Sequence, residues 1–228
     1  MQLHQFASST ELNTDFAKRL IAIVHQAIEA RDHAYLVVSG GRTPQALFEH
    51  LSSTDLDWSK VTITLADDRW LSSSEKDSNE RLVKSVLLQN KAAAARFISL
   101  VTADEKAEAG ELAVCQRFAE IPTFDAVILG MGEDGHTASL FPCSAELAKG
   151  LSTEQAALAV NPTTAPYQRM SLSQSRLLNS RHVFLHLVGG NKLNVLNQAM
   201  AAADPQQMPI RAFLQHPCVD VQVMFATE

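Results

Sequence analysis

Cysteine is scarce in this sequence. Cys115, Cys143 and Cys218 are widely spaced, odd in number and include no Cys-x-x-Cys pair. That argues against a disulfide framework or a cysteine-based zinc site and fits a reducing, cytoplasmic setting. Cys143 reads as a small packed residue. Long apolar runs are also missing. Nothing approaches the ~18 residues needed to cross a bilayer, and Met1–Ser9 has neither a basic nor an apolar targeting region, so neither a signal peptide nor a membrane partner is expected. Basic charge is not in excess: 19 Lys and Arg face 25 Asp and Glu, a net charge of −6. This argues against nucleic acid as a partner, and any site for a phosphate must be built locally. No Pro/Gly/Ser linker and no internal repeat divides the chain. The apolar share of 46% is enough for a substantial core.

Strand and helix patterns alternate along the chain. Leu3–Phe6 reads as a short edge strand. Ser8, Ser9 and Thr10 are helix-start candidates, and Phe16, Leu20, Ile23, Val24, Ala27 and Ile28 then trace one face of an amphipathic helix. Buried strands are expected at 34–38, 61–65, 125–129, 182–188 and 219–225, with shorter ones at 97–100 and 158–160. Helices are expected at 45–51, 79–88, 104–119, 174–178, 193–202 and 209–215. This order predicts an α/β fold: a doubly wound, Rossmann-like, mostly parallel sheet with helices on both faces, as a single domain over 1–228.

Four loops then leave the carboxyl ends of strands, on one edge of the sheet. Ser39-Gly40-Gly41-Arg42-Thr43-Pro44 enters a helix and resembles a phosphate cradle, with backbone N–H groups and the helix dipole facing an anion. It is neither a P-loop nor a Gly-x-Gly-x-x-Gly fingerprint, so no nucleotide is inferred. Asp67-Asp68-Arg69-Trp70 puts a guanidinium at a strand end, suited to phosphate or carboxylate. Gly130-Met131-Gly132-Glu133-Asp134-Gly135-His136 places three glycines before His136, the side chain here suited to proton transfer near neutral pH. Gly189-Gly190-Asn191-Lys192 opens another helix, and Lys192 opposes its dipole there, which points to an anionic ligand. A single site can therefore hold Gly40, Gly41, Thr43, Arg69, His136 and Lys192: a proton-transfer residue beside several anion binders, which suggests chemistry on a small phosphorylated molecule without saying which. Arg169, by itself, reads as a surface residue. His182 and His186, four apart on a strand, stand roughly 13 Å apart and do not suit a metal.

At these loops the chain resembles the 6-phosphogluconolactonase family. The resemblance rests on Ser39–Pro44, Asp67–Trp70, Ser78-Asn79 and above all Gly130–Pro142, with weaker matches at Arg169–Leu172 and Gly190–Lys192. It implies hydrolysis of 6-phospho-D-glucono-1,5-lactone to 6-phosphogluconate in the pentose phosphate pathway, without an organic cofactor; no metal ligands are assigned, and a cytoplasmic monomer or small homo-oligomer is expected. It further implies His136 as general base, with Asp134 orienting it. Gly40, Gly41, Arg42, Thr43, Asp68, Arg69, Gly132, Arg169 and Lys192 are then the substrate-binding candidates. The chain departs from the family pattern in three places. Arg42 stands where Ser or Thr is usual. Asp68 replaces a glutamate. Asn161-Pro162-Thr163 replaces Lys-Pro-Pro.

Glucosamine-6-phosphate deaminases share the Gly-x-Asp-Gly-His loop, but continue into an Asn-Glu-Pro-like sequence where this chain has Ser139-Leu140-Phe141-Pro142. Their Asp-Glu-Tyr is Asp68-Arg69-Trp70 here. A non-catalytic sugar-phosphate sensor is the third reading; such a protein has no need of His136.

Overall fold

A computed structural model describes all 228 residues. The strands of the main sheet are β1 (Gln2–Phe6), β2 (Ala34–Val38), β3 (Val61–Leu65), β5 (Arg96–Ile98), β6 (Ala126–Leu129), β9 (Val183–Val188) and β10 (Val221–Ala226). They lie in the order β1-β10-β9-β6-β2-β3-β5, and every neighbouring pair is parallel. Strands β2, β3 and β6 are nearly continuous apolar or β-branched runs, as strands covered on both faces must be.

The first connections, β1 to β2 to β3 to β5, step one way along the sheet; the later ones, β5 to β6 to β9 to β10, step back. Right-handed crossovers therefore put the two sets of helices on opposite faces. Helices α1 (Ser9–Arg31) and α2 (Gln45–Ser52) pack together, as do α5 (Leu147–Ser152) with α6 (Gln174–Leu178), and α7 (Gly190–Met200) with α8 (Arg211–Leu214). Loops leaving the adjacent strands β2 and β6 diverge, and the crevice between them is where such sheets bind ligands.

The start of α1 follows its sequence signal. Ser8 Oγ accepts the N–H of Glu11 at 3.2 Å, and Glu11 returns to accept the N–H of Ala7 at 3.0 Å. The apolar face of α1 is Leu12, Phe16, Leu20, Val24 and Ala27; Ile23 and Ile28 are only partly buried. At its far end Arg31 pairs at 2.5 Å with the buried Asp125, which also accepts the N–H of Tyr35. This fastens α1 to the start of β6. No helix is long and apolar enough to cross a membrane.

Three local expectations change. The helix expected over 79–88 is α3 (Asn79–Leu82) followed by a π-helical turn, Val83–Leu87. The one expected over 104–119 is α4, Ala107–Arg117. More consequential is a second sheet. Asp67–Arg69 (β4) pairs antiparallel with Arg169–Leu172 (β8), which pairs antiparallel with Ala157–Val160 (β7). Strand β4 follows β3 after the single residue Ala66, so this small sheet stands at the carboxyl edge of the large one. Arg169 is thus a buried strand residue rather than a surface one.

Candidate active site

A cavity of about 340 Å³ opens between the loops after β2 and β6. Gly40, Gly41, Arg42, Thr43, Arg69, Gly132, His136, Arg169 and Lys192 all line it. Asp134 stands just behind His136. Asp68 does not reach the cavity.

The His136 loop is shaped by hydrogen bonds within itself and by one from the distant Ile210. Gly132 donates its N–H to His136 O at 2.9 Å, Thr137 Oγ1 donates to Gly130 O at 2.8 Å, and Ile210 N–H donates to Gly135 O at 2.9 Å. Asp134 Oδ1 lies 2.6 Å from His136 Nδ1 and also accepts the His136 N–H at 3.1 Å. Burial would raise the Asp134 carboxyl, but the hydrogen bond and charge of His136 outweigh it and hold it below the usual carboxylate range. A Cβ on residue 132 would sit 2.2 Å from the His136 ring and 2.8 Å from Asp134 Oδ1. Gly132 is therefore glycine because the His136–Asp134 pair occupies that space. The imidazole rests on Phe141, with ring centroids 4.2 Å apart.

The small sheet builds the opposite wall. Side chains alternate along a strand, so Asp67 and Arg69 share one face of β4, opposite Ser171 and Arg169 of β8 in register. Two guanidiniums thus stand on neighbouring strands, a repulsive arrangement unless an anion intervenes. Arg69 Nη1 donates to Asp77 O at 2.5 Å and Arg169 Nη2 to Pro166 O at 3.0 Å. The Nε of each is shielded from solvent and has no partner. Burial pushes the Arg169 guanidinium below the usual arginine range; Asp67 opposes that shift and Arg69 adds to it.

The same alternation turns Asp68 away. It accepts the N–H groups of Arg69 and Asn79, each at 2.7 Å, and of Glu80 at 2.9 Å. Burial raises its carboxyl to about 6 although the Asn79 and Glu80 amides draw it down. Asp67 lines the cavity instead. Its Oδ2 accepts from the buried Ser139 hydroxyl at 2.5 Å. Asn79 also lines the cavity, donating from Nδ2 to Asp67 O at 3.0 Å. Asp67 and Asn79 fall within the matched stretches Asp67–Trp70 and Ser78-Asn79, but neither is among the substrate-binding candidates. Once residues 67–69 are a strand, the period-two relation to Arg69 points to Asp67; Asn79 has no signal beyond the match.

In the Gly40 loop, Pro44 occupies the N-cap position of α2 and no side chain caps the helix, so Thr43 is not spent on that bond. Arg42 is exposed at the rim. On the other side, α7 has no side-chain cap and no acidic residue in its first turn. Its Lys192 Nζ donates to Met131 O at 3.0 Å and pairs with Glu133 at 2.6 Å.

His186 is a cavity-lining residue outside this constellation, buried against Phe16 with neither ring nitrogen partnered. Burial lowers its pKa to about 4, so the ring is neutral at physiological pH.

Fold and site together define a doubly wound α/β protein with a crevice at its topological switch point lined by a histidine, arginines and a lysine. Comparison with known proteins gives the family. The profile described as glucosamine-6-phosphate isomerases/6-phosphogluconolactonase matches residues 7–222, and the chain belongs to that family. It is 39% identical to a 6-phosphogluconolactonase of Pseudomonas putida, covering 95% of this chain and 90% of that protein. It is 40% identical to one of Rhizobium meliloti, covering 98% of each. A crystal structure of a 6-phosphogluconolactonase from Shewanella baltica superposes with a TM-score of 0.98 at 46% identity, over 99% of this chain and 97% of that one.

Proposed function

We propose that this protein hydrolyses 6-phospho-D-glucono-1,5-lactone to 6-phospho-D-gluconate, the lactone-opening step of the oxidative pentose phosphate pathway. The observation that carries this reading is the His136–Asp134 pair, 2.6 Å apart, in a cavity shared with two arginines whose Nε groups lack partners. The similarity to named lactonases over the full chain supports the same substrate.

In this mechanism Asp134 accepts the Nδ1–H of His136, which leaves the Nε2 lone pair free to take a proton from water. The oxygen of that water attacks the lactone carbonyl. The tetrahedral intermediate collapses by breaking the bond from the carbonyl carbon to the ring oxygen, and His136 returns the proton to that leaving oxygen. One water is consumed; a hydroxyl and a carboxylic acid are formed, and the acid releases its proton to solvent to leave the carboxylate. Arg69 and Arg169 supply fixed positive charge for the phosphate or the developing oxyanion, and such oriented charge is the strongest contribution a site of this kind makes. Gly40, Gly41, Thr43, Arg42 and Lys192 complete the anion-binding wall. Asp67, held by Ser139, offers its remaining oxygen to a sugar hydroxyl. Asp68 binds no substrate in this scheme; it secures the loop that carries Arg69 and Asn79.

The test is turnover of freshly generated lactone, with its spontaneous loss subtracted, by the wild type and by His136→Ala. Fast turnover that the variant loses is expected. A wild type that leaves the spontaneous rate unchanged would sink the reading, and glucosamine 6-phosphate is then the next substrate to assay.

A further inference from the structure

Lys192 faces the cavity, yet its charge is already engaged. Glu133, three residues before His136, reaches across to the start of α7. One carboxylate oxygen meets Lys192 Nζ at 2.6 Å, and the other accepts from the Asn191 side-chain amide. The ammonium also donates to Met131 O at 3.0 Å. Two of its three hydrogens are therefore committed to the His136 loop, and one remains for a ligand. The α7 start brings no acid of its own in its first turn. Glu133 supplies the negative charge that both the helix dipole and Lys192 call for, and the hydrogen bond from Lys192 holds its carboxyl below the usual range. Glu133 itself is not on the cavity wall and is largely exposed.

We propose that Glu133 is an internal counter-ion of the anion site: it positions Lys192 toward the cavity and partly neutralises it, so that an entering anion competes with Glu133 for the same ammonium. This rests on the reading that Lys192 meets the anionic group of the substrate. Glu133 is a positioning residue that sets how tightly the site holds anions, because its charge opposes theirs from the far side of Lys192. An enzyme whose product carries one more negative charge than its substrate gains from such moderation, since a fully available lysine would retain the product.

Inorganic phosphate, assayed as a competitive inhibitor of lactone turnover, is the probe. Four proteins are compared: wild type, Glu133→Gln, Lys192→Ala and the double variant. Gln keeps the length and one acceptor for Lys192 while removing the charge. Phosphate inhibition should tighten about threefold to fivefold in Glu133→Gln, the scale of one partly exposed charge pair. That gain should vanish in the Lys192→Ala background. No tightening, or an equal gain without Lys192, overturns the proposal. Lys192→Ala with unchanged phosphate inhibition instead removes Lys192 from the anion site, which is failure of the underlying reading. Glu133→Met, also uncharged, repeats the test if Glu133→Gln melts early.

Discussion

Asp67 and Asp68 are neighbours in the chain and face opposite sides of β4. Asp67 looks into the cavity and is held by Ser139; Asp68 is enclosed and collects three backbone N–H groups. Their substitutions should therefore fail in different ways. Asp68→Ala strands buried donors at about 1–3 kcal/mol each, so thermal denaturation should show a large loss of stability, roughly 3 kcal/mol or more. Asp67→Ala should keep its melting temperature within a few degrees while kcat/KM falls about tenfold to a hundredfold. A stable Asp68→Ala protein with impaired kinetics would reverse the two roles.

Asp134 fixes which nitrogen of His136 is free. Asn at position 134 presents either an amide hydrogen to Nδ1, which drives the ring proton to Nε2, or a weaker acceptor. Asp134→Asn should thus lower kcat by roughly 10²–10⁴, the range of a lost general base, with KM changed little. Gly132→Ala should act on the same step from another direction, because its Cβ needs the space of the His136 ring. Steady-state kinetics on folded protein decide both. A KM effect without a kcat effect in either variant would place the pair in binding rather than in proton transfer.

The parts of the molecule legible beforehand are those whose signal is local. Strands β2, β3, β6 and β9 announce themselves as apolar or β-branched runs, and Ser8 marks the start of α1. The glycine loops after β2 and β6 follow from strand, turn and helix punctuation, and the parallel sheet then brings them to one edge. In the small sheet only β7 carried such a signal, at 158–160. Strand β4 is three residues, Asp-Asp-Arg, too short to show a period, and its partner β8 lies about a hundred residues away in the chain. Arginine is rarely buried, so Arg169 looked like surface until β8 carried it inside. The choice of Asp68 over Asp67 is a one-residue error in a structure of period two, and such an error exchanges the faces. Lys192 looked like a cation awaiting a ligand because its counter-ion, Glu133, sits in another loop.

Arg169 pairs in register with Arg69, and each keeps a shielded Nε without a partner. A phosphate that bridges them gains charge-assisted hydrogen bonds and relieves their repulsion. Arg169→Ala should therefore raise KM for the phosphorylated lactone about tenfold to a hundredfold, the loss of one charged hydrogen bond of roughly 1.5–3 kcal/mol. Arg169→Lys should recover little of it, since a single ammonium lacks the planar fork. The control is gluconolactone without a phosphate. If Arg169 holds the phosphate, the penalty on kcat/KM should be far smaller with that substrate. An equal penalty with both would move Arg169 from the phosphate to the reacting carbonyl.

His186 makes stability depend on acidity. In the unfolded chain its ring titrates near 6.5, whereas burial in the fold lowers this to about 4. Between those values the unfolded chain binds a proton that the folded protein rejects. Its contribution to stability is therefore intact above about pH 6.5, declines as pH falls and is fully lost below about 4. His186→Leu removes the titrating ring and both unpartnered nitrogens while keeping an apolar contact for Phe16. Relative to wild type, the variant should gain stability on moving from pH 7 to pH 5 by about 2 kcal/mol, at ~1.4 kcal/mol per pH unit below 6.5. Denaturant unfolding of both proteins at the two pH values measures this directly. All other titrating groups are shared, so the difference isolates position 186. A constant gap between the curves would mean that the His186 ring finds a partner when protonated, and that its burial costs the fold nothing in acid.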